Sequence, residues 1–187
     1  MNKVYIVGAG PGDPELITVK GQHLLQCADV IIYAGSLVNP ALLDYAKPDC
    51  QIYNSASMTL DEVIHTIEKA VNKDLNVVRL HTGDPAIYGA IQEQMDALKK
   101  LSIPFDVIPG VSSFLASAAA LKQEYTLPEI SQTVIITRNA GRTPVPERES
   151  LKALATHKAT MCIFLSIHMP DEVVKELTTG GYSPDTP

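Results

Sequence analysis

The apolar run Lys3–Val7 stops at Gly8-Ala9-Gly10-Pro11-Gly12-Asp13-Pro14, and a helix-like stretch follows. The same succession recurs at Leu75–Leu80, which leads into His81-Thr82-Gly83-Asp84-Pro85, and at Phe105–Ile108, which leads into Pro109-Gly110-Val111-Ser112-Ser113. Continuous β-type runs that alternate with helices imply a mainly parallel sheet covered on both faces. A parallel sheet gathers the C-terminal ends of its strands on one rim, where ligands bind. Glycine in such turns accepts positive φ and lets backbone approach backbone or ligand. One glycine turn is ordinary in an α/β sheet; three on one rim predict a pocket.

The other elements follow from periodicity. Glu15–Cys27 reads as a helix, with Leu16, Val19, Leu24 and Cys27 near helical spacing, and Val30–Tyr33 as a strand. Thr59–Val71 reads as a helix with a Thr59/Glu62 capping box and Val63, Ile64, Ile67 and Val71 inward. Ile87–Leu101 places Ile87, Ile91, Met95 and Leu98 on one helical face, and Ser113–Leu121 is an Ala-rich helix. The polar segment Lys122–Glu129 then changes the register. A new unit follows: a strand at Thr133–Thr137, a Pro-, Arg- and Gly-rich stretch at Arg138–Arg148, and a helix near Glu149–Ala155. A strand at Thr160–Leu165 and a helix at Pro170–Thr178, stopped by Gly180 and Gly181, complete it. The expected fold class is α/β in two domains, 1–121 and 130–187, with the linker near 122–130. The turn composition Ser183–Pro187 stands where another strand is expected, so the second domain reads as truncated at its C-terminus.

Composition narrows the function. A net charge of −6 argues against a nucleic-acid surface, which needs a basic stripe. No apolar run reaches the length of a membrane span, and the N-terminal run reads as a first strand and not a signal peptide. Cys27, Cys50 and Cys162 are far apart and odd in number, which suits buried thiols in a reducing cytosol and no metal site. The first glycine turn invites a dinucleotide reading, yet Asp13 occupies the third glycine position. Pro11 and Pro14 remove N–H donors that a pyrophosphate would use. Asp29 precedes the second strand, where the fingerprint wants an acid at the strand's far end. An NAD-type oxidoreductase is therefore disfavoured.

Gly-Ala-Gly-Pro-Gly-Asp from Gly8, Thr-Gly-Asp-Pro from Thr82 and Pro-Gly-Val-Ser-Ser from Pro109 together resemble the tetrapyrrole methylases, in order and along essentially the whole chain. Within that family, Tyr33-Ala34-Gly35-Ser36-Leu37-Val38-Asn39-Pro40 is similar to the subgroup that methylates C11 of precorrin-4 or cobalt-precorrin-4 in cobalamin synthesis. Leu80–Gly89 and Arg138–Pro144 agree with that subgroup. Relatives that methylate uroporphyrinogen III usually carry Arg where this chain has Ala90. The resemblance implies two α/β domains, a homodimer and S-adenosylmethionine as methyl donor, with S-adenosylhomocysteine as product. It places cofactor contacts on Pro11, Thr82, Gly83, Asp84, Ile87, Tyr88, Ser112 and Ser113, and on Ser166 from the second domain.

Methylation of a ring carbon leaves a macrocycle that must lose a proton to a carboxylate or water. Glu93, off the apolar face of its helix, is the candidate acid or base, against an exposed helix carboxylate as the alternative. His81 is placed either against the tetrapyrrole or packed at a strand end. Asp84 either bonds a cofactor hydroxyl or backbone amide, or caps the helix after it. The acetate and propionate groups of such a substrate call for Arg forks. Arg138 and Arg142, with Arg148 nearby, are the candidate clamps, against a solvated loop. Two rivals remain open: a methylase of another substrate (another tetrapyrrole, a diphthamide precursor or ribosomal RNA), and a cofactor-binding module without turnover.

Overall fold

A computed structural model describes residues 3–186, apart from the side chain of Ser36. The chain divides into two compact units, Met1–Ser117 and Ala118–Pro187. That division falls inside the helix Ser113–Leu121, ahead of the polar stretch expected to link the domains.

The first unit holds strands β1 (Val4–Gly8), β2 (Val30–Tyr33), β3 (Gln51–Asn54), β4 (Val77–His81) and β5 (Phe105–Ile108). They form one sheet in the order β3-β2-β4-β1-β5, with every pairing parallel. The three strands that end in glycine turns, β4, β1 and β5, are thus immediate neighbours. Gly8 lies opposite His81 and Val7 opposite Ile108, so the turns leave the sheet at one level. The chain steps one way from β1 to β2 and the other way from β4 to β5. That reversal is the topological switch at which open α/β sheets bind ligands.

Helix α1 (Val19–Cys27) lies on one face, where Leu25 packs with Val7, Ile31, Val78, Leu80 and Ile108. Helices α2 (Leu60–Val71) and α3 (Gln92–Lys100) cover the other. There Val63, Ile64, Ile67 and Leu98 meet Val4, Val30, Ile32 and Val77. Ile67 is 1% exposed, and cutting such a side chain to Ala costs about 2–5 kcal/mol. The Thr59/Glu62 capping box forms as expected at the start of α2.

Two local readings change, and one strand goes unread. The helix expected from Glu15 begins as a 3-10 turn, Pro14–Leu16, and restarts at Val19 because the Thr18 hydroxyl caps it through the Gly21 N–H at 3.1 Å. The helix expected from Ile87 begins only at Gln92, because Tyr88 and Ala90 adopt φ of +54° and +49°. Strand β3, exposed along its length, forms no continuous apolar run and is legible only through its pairing with β2.

In the second unit β6 (Val134–Arg138) pairs in parallel with β7 (Thr160–Phe164). Helix α4 (Ser113–Leu121) spans the division between the units. Helix α5 (Leu151–Ala155) is shorter than expected because Ser150 caps it through Ala153 N–H. Helix α6 (Pro170–Thr179) ends at Gly180, whose N–H closes on the Glu176 carbonyl, and at Gly181, with φ +113°. A Cβ at Gly180 would meet that of Ala155 at 2.4 Å, so this glycine permits the close approach of α5 and α6. Among the described residues no helix is long and apolar enough to cross a membrane.

Candidate functional site

The glycine turns meet backbone to backbone. A Cβ at Gly110 would stand 2.1 Å from the Gly83 carbonyl oxygen and 2.8 Å from Gly8 Cα. A Cβ at Gly8 would stand 2.6 Å from both Gly110 Cα and the Gly83 oxygen. No side chain fits at either position. Gly10 and Gly83 exchange backbone hydrogen bonds at 3.3 and 2.9 Å, which folds the first turn over the second. Gly10 and Gly83 take φ of +77° and +60°, a region that side-chain-bearing residues enter at a cost of about 1–2 kcal/mol.

Polar side chains lock this arrangement. Asp84 accepts from Ala86 N–H at 2.8 Å through one oxygen and from Gly110 N–H at 3.0 Å through the other. Of the alternatives for Asp84, the structure shows the backbone-amide one, with both oxygens committed to loop amides. The Asn39 amide donates to the Gly12 carbonyl at 2.7 Å, so the Tyr33–Pro40 segment holds the first turn from the side. Pro11, Thr82 and Ile87 are half-buried at the rim, Ser112 is 4% exposed, and Ser113 is exposed at the start of α4. Tyr88 is 43% exposed on the loop that precedes α3. Glu93 is exposed in the first turn of α3.

His81 is enclosed at the end of β4. It is 4% exposed, and burial, aided by the Arg79 charge, holds its pKa down to about 3. Its Nε2 has no hydrogen-bond partner among the described residues. A buried neutral imidazole is the packed strand-end histidine of the two alternatives, and it is a poor proton acceptor near neutral pH. Next to it, Arg79 is 6% exposed; burial pushes its pKa down to about 10, so it stays protonated at neutral pH. Arg79 and its partner Gln94 escape a reading based on motifs. The visible signal is a charge in the middle of the buried run Val-Val-Arg-Leu-His. Asp29 belongs to neither the rim nor a ribose site. Its carboxylate takes the Asn76 N–H at 2.7 Å and pairs with Lys47 at the opposite end of the sheet.

In the second unit the Ser166 hydroxyl donates to the Phe164 carbonyl at 2.8 Å and accepts the Asn139 N–H at 3.1 Å. Its one donor goes to the end of its own strand, β7, and its oxygen, by accepting from Asn139, joins the ends of β6 and β7. Arg138 is tied to its own loop. Its guanidinium donates to the carbonyls of Asn139, Thr143 and Pro144 at 3.3, 3.0 and 2.9 Å. It shapes the loop from within, while Arg142 is exposed on that loop.

A rim of this kind, with glycine backbone packed on glycine backbone and proline in place of phosphate-binding amides, suits a flat uncharged nucleoside better than a pyrophosphate. That is the shape and charge of the adenosine part of S-adenosylmethionine, and the residues present fit it. Among the described residues, no group of three or more His, Cys, Asp or Glu is placed to hold a metal ion.

Comparison with known proteins bears on this geometry. The family model for Tetrapyrrole (Corrin/Porphyrin) Methylases matches residues 3–187. A cobalt-precorrin-4 C(11)-methyltransferase of Methanocaldococcus jannaschii is 63% identical over 185 residues, covering 99% of this chain and 71% of that protein. The X-ray structure of a cobalamin biosynthetic enzyme, cobalt precorrin-4 methyltransferase, superposes with a TM-score of 0.96 at 51% identity, over 98% of this chain and 77% of that one. The uroporphyrin-III C-methyltransferase of Thermus thermophilus complexed with S-adenosylhomocysteine gives 0.79 at 29% identity, over 98% and 74%.

Proposed function

The chain belongs to the tetrapyrrole (corrin/porphyrin) methylase family, and from that premise we propose that it moves a methyl group from S-adenosylmethionine to C11 of precorrin-4 or cobalt-precorrin-4. The observation that carries the proposal is the contact of the Gly8, Gly83 and Gly110 turns at one rim. Identity of 63% to a C(11)-methyltransferase, against 29% to the uroporphyrin enzyme, supports C11 over the uroporphyrinogen alternative. Both the 63% and the 51% relatives are named for the cobalt form, which supports the cobalt-bearing substrate.

When bound, S-adenosylmethionine supplies an electrophilic sulfonium methyl in line with a ring carbon. The chain's part is to orient and to exclude water, an effect that can contribute about 7–11 kcal/mol to lowering a barrier. Pro11, Thr82, Gly83, Ser112 and Ser113 form the cofactor side, with Ile87 and Tyr88 on the adjoining loop. Asp84 contributes by fixing the loops, and Ser166 is proposed as a further cofactor contact. Glu93 is the proposed acceptor of the proton that the macrocycle releases. Arg142 is the proposed carboxylate contact, on a loop that Arg138 shapes. The proposal includes the two domains 1–121 and 130–187, a homodimer and a cytosolic setting. The three free cysteines agree with a reducing compartment.

Calorimetric titration tests the cofactor part. S-adenosylhomocysteine should bind at a single site while NADH produces no heat of binding. Tight NADH binding with no response to S-adenosylhomocysteine would contradict the reading.

A further inference from the structure

Arg79 sits in the middle of β4, the central strand of the sheet, and is almost wholly buried. A buried guanidinium must spend its donors within the protein. Its Nε donates to Gln94 Oε1 at 3.0 Å and one terminal nitrogen donates to the Ile32 carbonyl at 3.0 Å. Gln94, itself 7% exposed on α3, donates through Nε2 to the Ala90 carbonyl at 3.2 Å. Chemistry sets the orientation of this amide, because a guanidinium only donates and a carbonyl only accepts. A hydrogen-bonded path therefore runs from β2 through β4 and α3 to Ala90.

Ala90 closes a strained hook. Tyr88 and Ala90 both hold positive φ without being glycine, and between them a Cβ at Gly89 would stand 2.2 Å from the Pro85 oxygen. Such conformations persist only where surrounding contacts over-determine them. The hook begins right after Asp84 and carries Ile87 and Tyr88. Its far end is joined to the core by the Gln94 amide.

We propose that Arg79 and Gln94 are positioning residues that clamp the 85–90 hook from beneath and so set Ile87 and Tyr88 against the cofactor. The clamp itself rests on the geometry; its consequence for the cofactor rests on the proposed function. Both residues are buried and act through the hook. The acceptors of the guanidinium, the Gln94 amide and the Ile32 carbonyl, are both neutral, and the bond to the first holds Gln94 in place.

Gln94→Glu tests the clamp. Its carboxylate still accepts from Arg79, so the core is retained, but it has no hydrogen to give the Ala90 carbonyl. The expected result is a thermal midpoint within a few degrees of the parent and amide exchange over residues 86–91 faster by about tenfold. Affinity for S-adenosylhomocysteine should fall by a similar factor. Adding Ala90→Gly, which takes the positive φ without a Cβ, should restore much of that affinity, a rescue that a merely structural role would not produce. Unchanged exchange over 86–91 in Gln94→Glu would overturn the clamp. Faster exchange in a protein whose parent form binds no S-adenosylhomocysteine would support the clamp and overturn the cofactor reading instead.

Discussion

The Asp84 carboxylate binds the Gly110 N–H at 3.0 Å and thereby fastens the turn after β4 to the turn after β5, across the end of β1. The same side chain caps its own loop through Ala86 N–H. Two loops far apart in sequence are thus one object, held by this side chain and by the glycine backbone contact beneath it.

Asp84→Ala should therefore separate the turns. Leaving two loop amides without their partner costs about 1–3 kcal/mol of stability. The larger effect should be on binding: affinity for S-adenosylhomocysteine should fall at least tenfold by calorimetry. Asp84→Asn should be milder, because its one carbonyl oxygen can keep one of the two bonds.

Gly110→Ala should be more damaging than its size implies. The added methyl lands on the Gly83 carbonyl at 2.1 Å, and backbone on both sides cannot yield cheaply. Overpacking of this kind costs about 1–3 kcal/mol or more, and it should abolish cofactor binding. Gly12→Ala meets nothing within 4 Å and carries only the strain of φ +125°, so its cost should stay at about 1–3 kcal/mol without loss of cofactor binding. Paired thermal melts and titrations measure both.

Most of the fold was open to reading from residues alone, and the reasons are local. Val-Tyr-Ile-Val and Val-Val-Arg-Leu are continuous runs because helices cover both faces of their strands. The Thr59 capping box marks its helix without tertiary help. The start of α3 was hidden, because Ile87 keeps helical spacing with Ile91 while the backbone between them turns through positive φ. Exposed β3 was hidden because an edge strand needs no apolar run. At the site, the glycine turns were legible as a set, but only the strand order brings them together. The bonds of Arg138 to its own loop and the burial of His81 were hidden for one reason: a sequence shows which donors a residue carries and not which of them the backbone takes or the core encloses.

Acid should unfold the protein through His81. Its folded pKa, about 3, lies below the ordinary value of 6.5, so the unfolded chain binds the extra proton. Stability from this group is complete above about pH 6.5 and declines as pH falls toward 3, at a limiting slope of about 1.4 kcal/mol per pH unit. Denaturant melts between pH 7 and 4 should show that decline. His81→Phe should flatten it, since a similar aromatic volume carries no proton.

Asp29→Asn should leave function alone. The carboxylate is held below its ordinary pKa first by the Lys47 hydrogen bond and next by the Asn76 N–H. Both contacts lie far from the glycine rim, and the Lys47 pair is partly exposed and screened by solvent, so its loss should cost little stability. S-adenosylhomocysteine affinity should not change; a tenfold fall would mean that Asp29 faces the ligand.

Glu93→Gln should separate binding from turnover. With the carboxylate gone, kcat should drop by about 10²-fold while S-adenosylhomocysteine affinity holds. A parent-like kcat would return Glu93 to the role of an exposed helix carboxylate.

The central claim is methyl transfer to one carbon of one macrocycle, and its most direct test is to find that carbon. The protein should be incubated with S-adenosylmethionine carrying a ¹³C methyl group and with precorrin-4, in cobalt-bearing and cobalt-free forms, and the product examined by NMR. The account predicts a single enriched methyl attached at C11. Enrichment at any other ring position, or a labelled methyl that stays with the donor while the cofactor binds normally, would contradict it.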